Sequence, residues 1–279
     1  MTIASTAGRR HDFAKSFLLH TRSEFVDFWM SVISLAFIVL MPVMFYVVFG
    51  VAFLSAADSI RSVNGAEIRQ ADLSYAGVLT FASMSVTFAN VAIGLAIRRE
   101  HGLFRRFRTT PVPPWVVMGA FLVNIFVTLV IVLAVVSAIG FLGLRVTMDP
   151  DRVVPLLVTA VLGFIALSPI GVALSLLPPN ADAAVPIVNG IFFPLAFLSG
   201  AFITVPLGAF VDAIVPYLPG APLFQLFAAV FSEGAFVWDG RQVLILLGWA
   251  VIGIVLSGAF FRWASEREPR GFTRRKSAE

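Results

Sequence analysis

Residues 98–111 read Arg98-Arg99-Glu100-His101-Gly102-Leu103-Phe104-Arg105-Arg106-Phe107-Arg108-Thr109-Thr110-Pro111. Five arginines and one carboxylate stand here between two apolar runs, 73–97 and 115–144. Each run is long enough to cross a bilayer, for which about 20 apolar residues suffice. So basic a segment belongs in water or at a headgroup surface, because charge at bilayer depth is costly. Its neighbours are therefore two spanning helices that end on one side.

Working outward, the composition extends that reading to the whole chain. Of 279 residues, 59% are hydrophobic and 13% charged, and the mean hydropathy is +0.93. Soluble domains carry about 25% charged residues. Four more apolar runs, 31–54, 153–177, 184–205 and 242–263, make six in all. They lack the alternation of barrel strands, and lipid offers no partner to an unpaired backbone, so each is expected to be a helix. The expected fold is an all-α membrane protein in one domain over 1–279. Residues 1–30 form a cytoplasmic or interfacial helix, 31–263 a six-helix bundle and 264–279 a cytoplasmic tail. The run 115–144 has length to spare for tilt. Pro169 and Pro194 each remove a helical hydrogen bond and are expected to kink or break their helices. The chain has no cysteine, which excludes disulfides, thiol catalysis and cysteine metal sites within it.

Near the N-terminus Phe13, Phe17, Leu18, Phe25 and Phe28 share one helical face, with Lys15, Arg22 and Asp27 opposite. That pattern suits a helix lying in the membrane interface. Arg9-Arg10 has no long apolar stretch directly after it, so it does not read as a leader. Lys and Arg then set orientation. With a cytoplasmic N-terminus, the inner segments hold four (1–30), five (98–114), none (178–183) and six (262–279), against five in the outer connectors. The bias puts both termini in the cytoplasm. Trp29, Trp115 and Trp263 then fall at the inner interface, and Tyr75 and Trp238 at the outer one.

The runs carry no Asp, Glu, Lys, Arg or His before Arg262 at the very end of the last. Ion-coupled carriers ordinarily need such groups near the midplane. The chain also lacks a glycine-rich phosphate loop with its lysine, since Lys15 and Lys276 are its only lysines. Any uphill work draws its energy from a partner. His11, His20 and His101 are not spaced as a metal set, and no membrane serine has an ionisable base nearby in sequence, so the chain is not read as an enzyme. The basic pI of about 10.1 reflects topology and attraction to membrane lipid rather than nucleic-acid binding. Small polar residues do lie in the runs. Ser83, Thr87, Asn90 and Gly94 line one face of the second helix, Asn124 and Thr128 one face of the third, and Asn189, Ser199 and Gly200 mark the fifth. They form either a mildly polar seam toward a translocation path or dimer partner, or ordinary packing through small residues.

In the opening stretch Leu103, Phe104 and Phe107 cluster on one face of a short helix that Pro111, Pro113 and Pro114 end. Such a helix is either a lever for a partner protein or a topology anchor for anionic lipid. Arg99-Glu100-His101-Gly102 through Phe107-Arg108-Thr109-Thr110-Pro111-Val112 resembles the connector after the second helix of ABC-2 type permeases, the membrane subunits of one class of ABC exporters. Phe193-Pro194-Leu195-Ala196-Phe197-Leu198-Ser199-Gly200-Ala201-Phe202 is similar to that family's fifth helix, and proline-rich 206–223 to its broken extracellular hairpin before the last helix. The chain departs at Leu103, where a small polar residue is frequent, and at Thr204-Val205-Pro206, where proline ordinarily comes sooner.

The resemblance implies a daunorubicin-resistance-like drug exporter subunit of the inner (plasma) membrane. It implies a coupling helix at about 99–110, with Arg99, Glu100, Gly102, Phe104, Phe107 and Pro111 as contact residues. Two copies of an ABC ATPase subunit would bind ATP and Mg, leaving this chain no cofactor of its own. A second permease subunit, identical or different, would complete the path. Export of a lipid-linked glycan and a non-transporting scaffold role are the alternatives.

Overall fold

The computed structural model describes residues 21–22, 40–45, 47–48, 59–63, 66–102, 114–143, 146, 148–200, 208–234 and 236–260. Most of the interfacial helix and the first crossing, the coupling segment beyond Gly102 and the tail 264–279 lie outside these; 40–45 and 47–48 are helical.

The described chain opens with a two-stranded antiparallel hairpin, β1 (Ile60–Val63) and β2 (Ala66–Arg69), in which Val63 pairs with Ala66 and Ile60 with Arg69. This departs from an all-helical fold. The reason is local: the register leaves a two-residue connection, and its sequence, Asn64-Gly65, is the pair most suited to a tight hairpin turn.

Five helices follow that are long and apolar enough to cross a membrane, one for each of the last five apolar runs. They are α1 (Gln70–Glu100), α2 (Pro114–Gly143), α3 (Val153–Leu174), α4 (Ala181–Leu198) and, last in the chain, α7 (Gly240–Phe260). Between α4 and α7 lie two shorter helices, α5 (Ala209–Ile214) and α6 (Gly220–Phe231). A 3-10 turn at Val215–Tyr217 extends α5, and the pair is bent by 72°.

Helix α1 is the axis of the bundle. Its span is 78% buried, against 22% for α4 and α7. Its middle is a π turn at Ser85–Ala89, an insertion that shifts the phase of the helix and commonly marks functional segments. Gly171 on α3 packs on that turn, where a Cβ would stand 2.7 Å from the Phe88 carbonyl oxygen. Pro169 and Pro194 do not end their helices: α3 and α4 run on through them.

Helix α6 is the largest surprise. Ten of its twelve residues are buried, packed along the first half of α1. Gly220 starts it against Met84 and Ser199, where a Cβ would meet their atoms at 2.7–2.8 Å. It ends beside the hairpin, where the Glu233 N–H donates to the Glu67 carbonyl at 2.7 Å. Twelve residues rise about 18 Å, short of the ~30 Å hydrocarbon core. With α5 bent by 72° from it, α6 belongs to a pair that by length and composition is a broken span or a re-entrant loop. The Trp249 Nε1–H of α7 donates to the Tyr217 carbonyl at 2.7 Å and pins the bend.

Tyr75 is corrected by this packing. Expected at a membrane interface, it is fully buried. Its hydroxyl donates to Ser137 Oγ at 2.8 Å, and its ring meets Phe231 edge-on at 5.0 Å. The helix that buries it, α6, was not among the six runs.

Candidate functional site

At the opposite end of the bundle, α1 finishes in Arg98-Arg99-Glu100. Arginines suit the negative end of a helix dipole, but each of these also has a specific partner. The Arg98 guanidinium lies 4.4 Å from the centre of the Phe121 ring on α2, a cation–π contact. Arg99 Nη2 donates to the Pro178 carbonyl, and Glu100 Oε2 accepts the Ala181 backbone N–H. Asn180 caps the same helix start locally, its Oδ1 accepting from the Ala183 N–H at 2.9 Å. The first turn of α4 is therefore satisfied by one local side chain and one remote carboxylate. Together these contacts join the 98–102 connector to the 175–181 loop and make one surface of them.

Gly102 follows with φ +67°, and nothing lies within 4 Å of where its Cβ would be. Its glycine answers to the left-handed backbone that ends α1, not to a close approach. Phe104, Phe107 and Pro111 lie outside the described residues.

The small polar residues of the runs divide by burial. Ser83, Thr87, Asn124, Thr128 and Ser199 are buried within the chain, while Asn90, Asn189 and Gly200 are only partly covered. Thr87 and Thr128 turn back to donate to the Ser83 and Asn124 carbonyls at 2.6 and 2.8 Å, and Ser199 to Ala196 at 2.6 Å. The Ser83 hydroxyl, the Asn90 amide nitrogen and both amide atoms of Asn124 have no hydrogen-bond partner among the described residues. Gly200, with φ +81°, terminates α4 against Phe224.

Sequence reasoning missed a charged cluster at the hairpin end. Arg152, counted there as a connector charge, is 5% exposed. Its guanidinium donates to the carbonyls of Ala229 (3.2 Å), Val230 (3.0 Å), Ser232 (3.4 Å) and Gly234. Ala229 and Val230 lie in the last turn of α6, and Ser232 and Gly234 in the segment just past it, so the guanidinium closes the C-terminal end of that helix. Arg69 and Asp72 pair beside it in a two-pronged salt bridge, 2.7 and 3.0 Å. A cleft of about 140 Å³ separates the two arginines, bordered also by Asp149 and Glu233. The sequence signal was available: an arginine directly before an apolar run, facing a second apolar stretch at 221–231 that no solvated loop would contain.

A family model described as ABC-2 type transporter matches residues 15–232, most of the chain. No curated protein matches it.

Proposed function

Since the chain belongs to the ABC-2 type transporter family, whose membrane domains work with an ABC ATPase and in general as dimers, we propose that it is the permease subunit of an ATP-driven exporter. Its cargo is a hydrophobic, drug-like or lipid-like solute, as in the daunorubicin-resistance type. It sits in the inner (plasma) membrane with both termini cytoplasmic. Two ATPase subunits bind ATP and Mg, and a second permease subunit completes the path. Arg99, Glu100, Gly102, Phe104, Phe107 and Pro111 belong to the surface on which the ATPase presses. Asn90, Asn189 and Gly200, the partly covered members of the polar seam, lie toward the path or the second subunit.

One observation carries this reading: the Arg99–Pro178 and Glu100–Ala181 bonds. A displacement of the 98–111 segment is transmitted directly to the start of α4 as well as to α1 and α2. Motion of one docked segment thereby becomes motion of three helices, a change between two bundle states biased by partner contacts. The Arg98 contact with Phe121 keeps the α1–α2 pair moving as a unit.

The test is co-purification with a candidate ABC ATPase, then solute-stimulated ATP hydrolysis in lipid vesicles. Stimulation by apolar solutes, lost in Glu100→Arg with membrane insertion intact, supports the proposal. A chain that inserts, binds no ATPase and moves no solute is a scaffold instead.

A further inference from the structure

Between α2, α3 and α7, toward the Arg98–Gly102 end, lies a groove of about 580 Å³. Leu122, Phe164, Val172 and Ile254 wall it, and Ser168 and Pro169 form part of its lining. Small-molecule sites span roughly 300–1,000 Å³ and are mostly apolar, with a few placed polar groups. The groove exists because α3 and α7 touch and then diverge. At Gly253 a Cβ would stand 2.7 Å from the Ile170 nitrogen, whereas Gly258, farther along and at the groove, faces open space.

Two polar groups distinguish it from an ordinary lipid-facing furrow. Ser168 is 3% exposed, and its hydroxyl has no partner among the described residues. Several other helical hydroxyls fold back onto a preceding carbonyl, as those of Thr80, Thr87, Thr128 and Ser175 do; those of Ser83 and Thr159 also lack a partner among the described residues, but neither residue lines the groove. Pro169 supplies the second group. Lacking an N–H, it leaves the Ile165 carbonyl without its helical donor, and Ile165 also lines the groove. An unused hydroxyl and an undonated carbonyl thus stand within one turn, in a wall with no ionisable residue. The surrounding faces of α3 and α7 expose Val161, Ile165, Val251 and Val255, so the mouth opens on acyl chains rather than water.

We propose that this groove binds an uncharged, largely apolar molecule carrying one hydroxyl, taken up sideways from the bilayer. Its O–H donates to the Ile165 carbonyl, and its oxygen accepts the Ser168 O–H. A ketone, ester or ether can accept but not donate, and an amine would bring a charge that nothing in the groove pairs. The site is built within one chain and stands whether or not the transport reading does.

The full-length chain in phosphatidylcholine nanodiscs is labelled with diazirine-bearing hexadecanol and, separately, with the matching hexadecane. The alcohol is expected to label peptides covering 118–122, 164–172 and 254–258 at least roughly fivefold above the alkane, the share that even one of its two hydrogen bonds provides. Ser168→Ala removes one of the two bonds, lowers alcohol labelling at least twofold toward the alkane level and leaves the alkane unchanged. Gly258→Leu, which fills the groove where nothing packs, removes both while the protein stays monodisperse. Equal labelling by the two probes in the unaltered chain overturns the proposal, as does alcohol labelling that survives both substitutions. Cross-links between two copies at these peptides also overturn it, because the groove is then a subunit contact.

Discussion

Arg152 donates to the Val230 carbonyl at 3.0 Å, across 78 residues of sequence. It precedes α3 by one residue and closes the end of α6, so this short buried helix is held to the bundle through a side chain from the turn that leads into α3. The last carbonyls of a helix have no partner of their own and carry its negative pole. In a buried setting they need a cation with several donors. A guanidinium offers five N–H groups in a fixed fork, and here it reaches four carbonyls at once.

Removing that fork is expected to loosen α6 first. Arg152→Met leaves up to three carbonyls undonated, since Ala229 keeps the Ser232 hydroxyl, at about 1–3 kcal/mol for each group that stays buried. Thermal melting of the detergent-solubilised protein should fall by several degrees, with Arg152→Lys intermediate because an ammonium donates to fewer carbonyls. Equal melting of Arg152→Met and the unaltered chain would show that α6 is held by its apolar face alone.

The two glycines of α3 that meet other elements separate backbone from side-chain crowding. A Cβ at Gly171 would lie 2.7 Å from the Phe88 carbonyl oxygen and 3.0 Å from Val91 Cβ, whereas at Gly163 it would meet only the ends of Leu223 at 3.0–3.1 Å. Backbone in a π turn cannot step aside, but a leucine can change rotamer. Gly171→Ala is therefore expected to cost about 1–3 kcal/mol and Gly163→Ala much less, read from melting temperatures of the two variants. The reverse order would mean that α3 and α1 slide freely at the π turn.

Asn124 is 1% exposed, and neither atom of its amide has a partner among the described residues. Replacing such a group by an apolar one of similar size relieves a desolvation penalty of about 1–3 kcal/mol. Asn124→Leu should raise the melting temperature. A drop instead would locate a partner for the amide outside the described residues.

Much of this arrangement is legible in the sequence because the bilayer imposes it. An apolar run of about 20 residues can do little but form a helix, and the last five runs each contain one. What escapes is whatever depends on contacts between distant segments. Gly220–Phe231 is too short to span and follows a proline-rich stretch, so hydropathy alone assigns it to a connector; its burial depends on α1. Arg152 is counted as a solvated charge for the same reason, since its carbonyl partners belong to that helix. Tyr75 follows, buried under Phe231. The β1–β2 hairpin is the exception: Asn64-Gly65 announces it locally, and the search for long helices passes over it. At the other end, Glu100 is legible as a residue of interest, but its bond to the start of α4 is not, because nothing in residues 98–111 points to Ala181.

Glu100 permits the sharpest separation of roles. Its carboxylate accepts the Ala181 N–H at the positive end of α4, and a glutamine in its place keeps the accepting oxygen while losing the charge. If the work of Glu100 is to join the two connectors, Glu100→Gln retains solute-stimulated ATP hydrolysis within about threefold, whereas Glu100→Ala, with no acceptor, falls roughly tenfold, in line with one charge-assisted bond. Co-purification of the ATPase should survive in both, because the bond lies within this chain. Glu100→Arg should be the most defective, placing a cation against the positive end of α4. Glu100→Gln as inactive as Glu100→Arg would instead assign the carboxylate to a cation on the ATPase, with its bond to Ala181 incidental to coupling.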